Sequence, residues 1–256
     1  MLEIRTSWVR SFLLSIIVLS TNCVENNSEV VVQDVAQVEL IYVTNEDSGE
    51  LSIISSQNNE VVSTIYIGKR PRGVRVSRDG RTVYVALSGS PKCPPWMSQK
   101  DCDEQITDKS LDGIAVIDVL SQQVTDILPG GSDPEQFDIS LDGNQLYVAN
   151  EDAHIASTVD IASQKIVSTT KVGHEPEGVR TSPDGKFFYV TGETDHNITV
   201  VNAKNGQQIK QTIVGHRPRD LIFCGLNNLF GEIMWFYPTA SSEAVNRMVS
   251  YNYLDS

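Results

Sequence analysis

The feature of this sequence that most restricts its fold is a repeat of 42 residues. Two landmarks mark the repeat, a Tyr-Val dipeptide and the pattern Gly-x-x-Pro. The Tyr-Val pairs begin at positions 42, 84, 147 and 189, and the Gly-x-x-Pro patterns begin at positions 68, 131, 173 and 215. Both series contain intervals of 42 residues and one of 63, so one unit carries an insertion of 21 residues. Because two independent landmarks share this spacing, the fold must be built from the repeat.

The sequence pattern of each unit predicts four short strands. An apolar strand such as 73–76 follows Gly-x-x-Pro, and an Asp-Gly turn then leads into the Tyr-Val strand. Asp-Gly between strands is a strong hairpin signal, and two further strands complete the unit. No helical period competes between Leu40 and Phe223. Four antiparallel strands in each period of about 40 residues are typical of a propeller blade. We therefore predict an all-β fold, a β-propeller of four-stranded antiparallel blades with about four repeats.

The repeat motifs resemble those of the YVTN family of β-propeller proteins. The resemblance covers residues 38–223 and rests on the segment Tyr42–Asn45, the Gly-x-x-Pro-x-Gly-Val loop and the turn Ser182–Gly185. The insertion, residues 88–112, resembles one found in exported YVTN propellers associated with quinoprotein alcohol oxidation. Relatives of this fold include seven-bladed lactonases and the haem d1 domain of cytochrome cd1 nitrite reductases. The resemblance thus implies a binding propeller linked to a periplasmic quinoprotein system, with a lactonase-like hydrolase or a haem- or metal-binding propeller as alternatives.

The number of repeats is smaller than in such relatives. Seven blades of this period require roughly 300 residues, whereas this sequence contains three whole units and two parts of a fourth. After Phe223 the landmarks stop, so residues 224–256 are predicted to be a non-repeat tail. We expect a partial propeller, a truncated form of a longer one. As an alternative, the two parts of the fourth unit pair and close a ring.

The N-terminal segment predicts export. Arg5 and Arg10 precede the apolar stretch Phe12–Leu19, which is shorter than the 20 or so residues that span a bilayer. Residues 1–22 are therefore interpreted as a signal peptide and 23–37 as a linker, which places the chain in the periplasm or at the cell surface. Cleavage after Ser20 and lipidation of Cys23 are alternative outcomes, and a lipid on Cys23 would tether the chain to a membrane.

The two cysteines of the insertion, Cys93 and Cys102, lie in a Pro-rich stretch. Disulfides form in exported proteins, and closing so short a loop would stabilise the fold by roughly 2–3 kcal/mol. Two unpaired thiols are the alternative. Nucleic acid is excluded as a partner, because 20 basic against 33 acidic residues give a net charge of −13, which repels phosphate.

The candidate ligand residues fall at repeat positions. His154 and His196 occupy the turn between the second and third strands, while His174 and His216 occupy the Gly-x-x-Pro loop. These two loop classes lie on the same face of a propeller, so the four histidines are predicted to share one surface. The remaining candidates are the turn glutamates and the arginines that flank the repeat proline: Glu46, Glu151, Glu193, Arg70, Arg72, Arg217 and Arg219.

Two interpretations of these residues stay open. They are repeat-encoded polar groups in water, or a site that binds a ligand. In a four-blade ring the two arginine pairs would be neighbours and would repel each other unless an anion lay between them. A metal or haem site would need imidazoles that converge on one point, within about 2 Å of the metal.

We predict a non-catalytic scaffold that binds a protein or a small ligand on its loop face. No nucleophile motif such as Gly-x-Ser-x-Gly occurs, and no tryptophan lies in a blade repeat. Accordingly no catalytic residue, metal ligand or cofactor is assigned from the sequence.

Overall fold

The computed structural model describes residues 39–92, 96–98, 100–101, 105–225 and 231–236. These residues form an all-β structure within the compact unit that begins at Val38. The strands of the first half are β1 (Leu40–Asn45), β2 (Glu50–Ser55), β3 (Glu60–Tyr66), β4 (Pro71–Val76), β5 (Thr82–Leu87), β6 (Gly113–Asp118), β7 (Gln123–Leu128) and β8 (Pro134–Ile139). Those of the second half are β9 (Gln145–Asn150), β10 (Ile155–Asp160), β11 (Lys165–Lys171), β12 (Pro176–Thr181), β13 (Phe187–Gly192), β14 (Asn197–Asn202), β15 (Gln208–Ile213), β16 (Asp220–Gly225) and β17 (Gly231–Phe236).

The strands are arranged as successive antiparallel sheets. Three sheets have four strands, β4 to β7, β8 to β11 and β12 to β15, and in each the sheet order follows the chain. A three-stranded sheet, β1 to β3, precedes them, and a two-stranded sheet, β16 and β17, follows. The predicted blades are confirmed, with the Gly-x-x-Pro loop leading into the first strand of each four-stranded sheet.

The core lies between neighbouring blades, and strand alternation builds it. On β5, Val83 and Val85 pack toward Leu51 of the preceding sheet, whereas Tyr84 packs with Phe137 of the next blade. Successive side chains of a strand point to opposite faces, so one strand supplies two interfaces. The next interface repeats the arrangement, and Tyr147 stacks on Phe188 with ring centroids 4.3 Å apart.

The first strands of the blades form the innermost layer. β4 contacts β8, and β8 contacts β12. The glycine of Gly-x-x-Pro-x-Gly permits this approach, because a Cβ at Gly178 would lie 2.6 Å from the Arg219 carbonyl oxygen. At Gly73 a Cβ would lie 2.8 Å from the Glu135 carbonyl oxygen. Side chains that follow the repeat proline are thereby brought close to those of the adjacent blade.

The insertion lies against the loops at the end of the first two sheets. Its 3-10 turn, Lys109–Leu111, is capped by Asp108, whose side chain accepts a hydrogen bond from the Ser110 amide. Arg70 fixes the start of the insertion by donating to the carbonyl oxygens of Ser90 and Pro91 at 2.8 and 3.0 Å. Lys109 pairs with Asp152 of the third unit.

Several predictions fall outside the described residues. They are the signal peptide, the linker, the lipidation candidate Cys23 and the disulfide between Cys93 and Cys102. Within the segment predicted to be a tail, β17 pairs with β16 from Asp220 opposite Phe236 to Gly225 opposite Gly231. In the part of the chain that the structure describes, no helix is long and apolar enough to cross a membrane.

Candidate functional site

The candidate residues gather at one end of the blades, here called the loop end. It consists of the Gly-x-x-Pro loops and the turns that join the second and third strands. The two classes of segment are hydrogen-bonded to each other, since the Glu151 amide donates to the Asp133 carbonyl and the Glu193 amide donates to the Glu175 carbonyl, at 3.0 and 2.9 Å. Charged side chains of both classes therefore meet.

The residue before the repeat proline has the same unusual backbone conformation in every unit. Its φ is 42° at Arg70, 51° at Asp133, 50° at Glu175 and 52° at Arg217. A positive φ is uncommon for a residue with a side chain. The loop thus presents this side chain in one fixed direction, while its charge changes sign between units.

Two of the turn glutamates are each held by a pair of arginines. Glu46 accepts from Arg70 Nε at 3.0 Å and from Arg72 Nη1 at 3.4 Å. Glu193, only 2% exposed, is paired with Arg217 and with Arg219, whose Nη2 lies 2.8 Å from Oε2. We call these sets the Glu46 cluster (Glu46, Arg70 and Arg72) and the Glu193 cluster (Glu193, Arg217 and Arg219).

Between them lies a set of carboxylates, Asp133, Glu135 and Glu151, which we call the acidic cluster. Oxygen atoms of all three lie within 4.8 Å of one another. Asp133 and Glu135 are 4% and 1% exposed, and Glu151 is half-buried. Arg72 pairs with Glu135 Oε2, but the buried Oε1 accepts no hydrogen bond.

Burial dominates the electrostatics of the acidic cluster. It raises the pKa of Glu135 to about 10, against the opposing effect of Arg72. Burial also raises the pKa of Glu151 and of Glu177, the next carboxyl group along the inner strands. The pKa of Arg72 is lowered by burial, but Glu135 and Glu46 outweigh this effect and raise it overall. Arg72 is thus a permanent cation beside carboxyl groups that resist ionisation.

The histidines form two contacts of the same kind. His154 lies 4.6 Å from His174 between ring centroids, and His196 lies 4.6 Å from His216. Each contact joins the turn of one blade to the loop of the next. Asp195 orients His174, with 2.9 Å between Nδ1 and Oδ2. A turn histidine thus contacts a loop histidine about 20 positions away, and not the equivalent histidine 42 positions away.

A groove of about 430 Å³ lies between the insertion and the first sheet. Glu46, Tyr66, Arg70 and Lys92 are among its lining residues. Lys92 crosses from the insertion to pair with Asp47, with Nζ 2.6 Å from Oδ1. The groove therefore combines an aromatic ring with charges of both signs.

Comparison with known proteins agrees with this architecture. Residues 102–184 match the family model described as YNCE-like beta-propeller. The matched segment, about a third of the chain, is similar to the repeats of that family. No curated protein matches the sequence.

A solved structure has a fold similar to that of this chain. A functionally unknown protein from Desulfotomaculum acetoxidans is 13% identical, with a TM-score of 0.58, over 84% of this chain and 68% of that one. Kuenenia stuttgartiensis hydrazine synthase is 21% identical with a TM-score of 0.48 over 64% of this chain. The match spans 45% of the hydrazine synthase chain.

The propeller brings together residues that the sequence interpretation had not selected as a site. Asp133, Glu135, Glu177 and Asp195 each contact or face a predicted candidate. Their signal was present in the repeat register, since Asp133 and Glu135 flank the repeat proline of their unit just as Arg70 and Arg72 flank that of theirs. The repeat register of the sequence identifies equivalent positions in different units. The side-chain contacts of the site join positions that are not equivalent, so the register alone does not reveal them.

Proposed function

We propose that this YNCE-like propeller is a non-catalytic binding scaffold, and that the groove beside its insertion holds a small ligand or a segment of a partner protein. The groove carries the proposal because it is concave and its lining combines an aromatic ring with charged groups, which could orient a ligand. Its walls come from two different parts of the chain, the first sheet and the insertion, so bound ligand would contact both.

The state of the charged residues supports binding over catalysis. Around the groove, Glu46 forms salt bridges with Arg70 and Arg72, and Lys92 forms one with Asp47. A hydrolase needs a base placed against a nucleophile or a bound water. Paired groups of this kind stabilise a surface and orient a ligand by hydrogen bonds, without supplying a free base.

We also propose that the chain acts outside the cytoplasm, beside a periplasmic quinoprotein oxidation system. The basic and apolar segment at 5–19 and the YVTN-like insertion support this assignment. Fractionation of bacteria that express the full chain tests it. Recovery in the periplasmic or membrane fraction is expected, and recovery in the cytoplasm alone would refute it.

Thermal unfolding of the full chain tests the binding role. The probes are hexose lactones, their sugar acids, dicarboxylates, pyrroloquinoline quinone and haemin. We expect at least one to raise the melting temperature, and Lys92→Glu in the groove to remove that shift. Arg78→Glu, in a separate cleft lined by Arg75 and Pro183, is the matched control. The proposed binding site would be wrong if no probe raised the melting temperature, or if both variants lost the shift equally. Turnover of a lactone would establish a hydrolase instead.

A further inference from the structure

The inner layer of the propeller contains charges that the binding groove does not use. The acidic cluster is distinct from the groove, since Asp133, Glu135 and Glu151 are absent from its lining. It places three carboxylates in a region where two groups are fully buried. Uncompensated charges of this kind are costly to bury, so the cluster must bind a positive partner or a proton.

Protein groups supply only part of that partner. Arg72 neutralises one charge through Glu135 Oε2 and is shared with Glu46. Asp133 Oδ1 accepts from the Ser88 hydroxyl, which is neutral. Among the described residues, no side chain of Lys or Arg forms a salt bridge with Glu151 or with Asp133. When all three groups are ionised, the single guanidinium in contact with them leaves two negative charges without a paired cation.

The orphaned oxygen is a second and independent observation. Glu135 Oε1 is buried and accepts no hydrogen bond. The Glu151 carboxyl group lies against that of Glu135, and as a carboxylate it can only accept. A buried acceptor without a donor costs free energy of about 1–3 kcal/mol. The position therefore lacks an electron-pair acceptor, which a proton or a metal ion would provide.

The dimensions of the cluster suit a metal ion. Two oxygens bound to the same calcium ion at about 2.3–2.6 Å lie at most roughly 5 Å apart. The three carboxylates already lie within 4.8 Å of one another. Glu151 is half-buried, so the cluster is reachable from solvent and water can complete the coordination.

We propose that Asp133, Glu135 and Glu151 bind one hard divalent cation of the calcium, magnesium or manganese class. Carboxylate oxygens are the donors that such cations prefer, and the donor set contains no nitrogen or sulfur that would favour zinc or copper. Arg72 holds the second oxygen of Glu135 and orients that ligand. The cation links the inner strand β8 to the turn after β9. A shared proton between Glu135 and Glu151 is the competing state.

Isothermal titration calorimetry of the full chain, stripped of metal by a chelator, tests the site. Calcium, magnesium and manganese chlorides are titrated separately. We expect one ion per chain, with Glu151→Gln lowering the affinity about tenfold or more by removing one of three charged ligands. Glu193→Gln makes the same change at the equivalent position 42 residues later, where arginines replace the cation. It should retain the affinity within about twofold.

Two results would overturn the proposal. One is no heat of binding with any of the three salts up to about 10 mM, well above the roughly 0.1–1 mM dissociation constants of weak extracellular calcium sites. The other is an equal change in affinity in both variants, which would indicate diffuse binding to an acidic surface. Circular dichroism establishes that each variant is folded. If Glu151→Gln fails to fold, Asp133→Asn takes its place under the same criteria, since its amide oxygen still accepts from Ser88.

Discussion

The acidic cluster and the Glu193 cluster are two versions of one arrangement. In both, a turn glutamate faces the loop of the following blade, but Glu193 meets Arg217 and Arg219 whereas Glu151 faces the loop that carries Glu175 and Glu177. The backbone is the same, with φ of 50° at Glu175 and 52° at Arg217. The fold therefore fixes where the charges meet, and the residues at those positions decide whether they attract or repel.

Removal of the turn glutamate should affect stability very differently in the two clusters. Glu193→Gln leaves Arg217 without its buried carboxylate and Arg219 with Glu177 alone. We expect a loss of about 2 kcal/mol in the free energy of unfolding, a value that already allows for the solvent exposure of both arginines. Glu151→Gln without cations should change stability little or raise it. Urea unfolding checks both variants, and a similar loss in the two would show that the clusters are equivalent.

The acidic cluster should make the free energy of unfolding fall by about 2 kcal/mol between pH 5 and pH 9, a change not expected from the Glu193 cluster. Burial raises the pKa of Glu135 to about 10, above its unfolded value; Arg72 opposes this shift, while Glu151 and Glu177 add to it. Asp133 is the other charged group of the cluster. The native state therefore binds more protons, so without cations stability is greatest near pH 5 and falls as pH rises toward 9.

Saturating calcium should flatten that fall, because the cation replaces the proton. Urea unfolding at several pH values, with and without calcium, makes the measurement. Glu135→Gln should remove the pH slope, and a slope that persists in this variant would assign it to other groups.

An arginine introduced beside the acidic cluster should convert it to the arrangement of the Glu193 cluster. Glu175→Arg places at the acidic cluster the residue that closes the Glu193 cluster, in a backbone conformation that Arg70 and Arg217 already adopt. We expect a gain of about 1 kcal/mol in the absence of cations and the loss of the calcium response. Calorimetry and thermal unfolding check these effects, and retention of calcium binding would mean that the new arginine does not reach Glu151.

The smallest effect concerns Ser88, which holds the repeat position of Glu151 in the preceding unit. Its hydroxyl donates to Asp133 Oδ1, and the residue is fully buried. Ser88→Ala should lower the free energy of unfolding by about 1 kcal/mol. Because Ser88→Ala leaves Asp133 without its hydrogen-bond donor, calcium should stabilise this variant more than the wild-type protein. An equal increase in stability with calcium in both would show that Ser88 does not influence the cation site.

The sequence predicted the fold well because the fold depends on local, repeated signals. Asp79-Gly80 forms the expected turn, with the Gly80 amide donating to the Ser77 carbonyl at 2.9 Å. Alternation along β5 distributes Val83 and Tyr84 to opposite interfaces. These signals act within a few residues, and the period repeats them, so each unit supports the interpretation of the others.

The site was harder to predict because its contacts join non-equivalent positions of successive blades. His154 pairs with His174 and not with its equivalent, His196. The arginines, expected to be solvated or to need an anion, pair with glutamates about 24 residues away. Nor does spacing reveal that Glu135 Oε1 lacks a donor, because this depends on the burial and direction of several side chains together.

The fixed direction of the residue before each repeat proline has a consequence for how such proteins grow by blade duplication. A copied blade carries both a turn and a loop, and each meets a neighbour that the copy did not bring. A blade whose turn carries Glu193 fits before a loop such as that of Arg217, while one whose turn carries Glu151 tolerates an acidic loop in the next blade if a cation is supplied. The charges at the turn position and at the loop position before the repeat proline thus restrict which blades can be neighbours. Propeller units with the same fold cannot be exchanged freely in order.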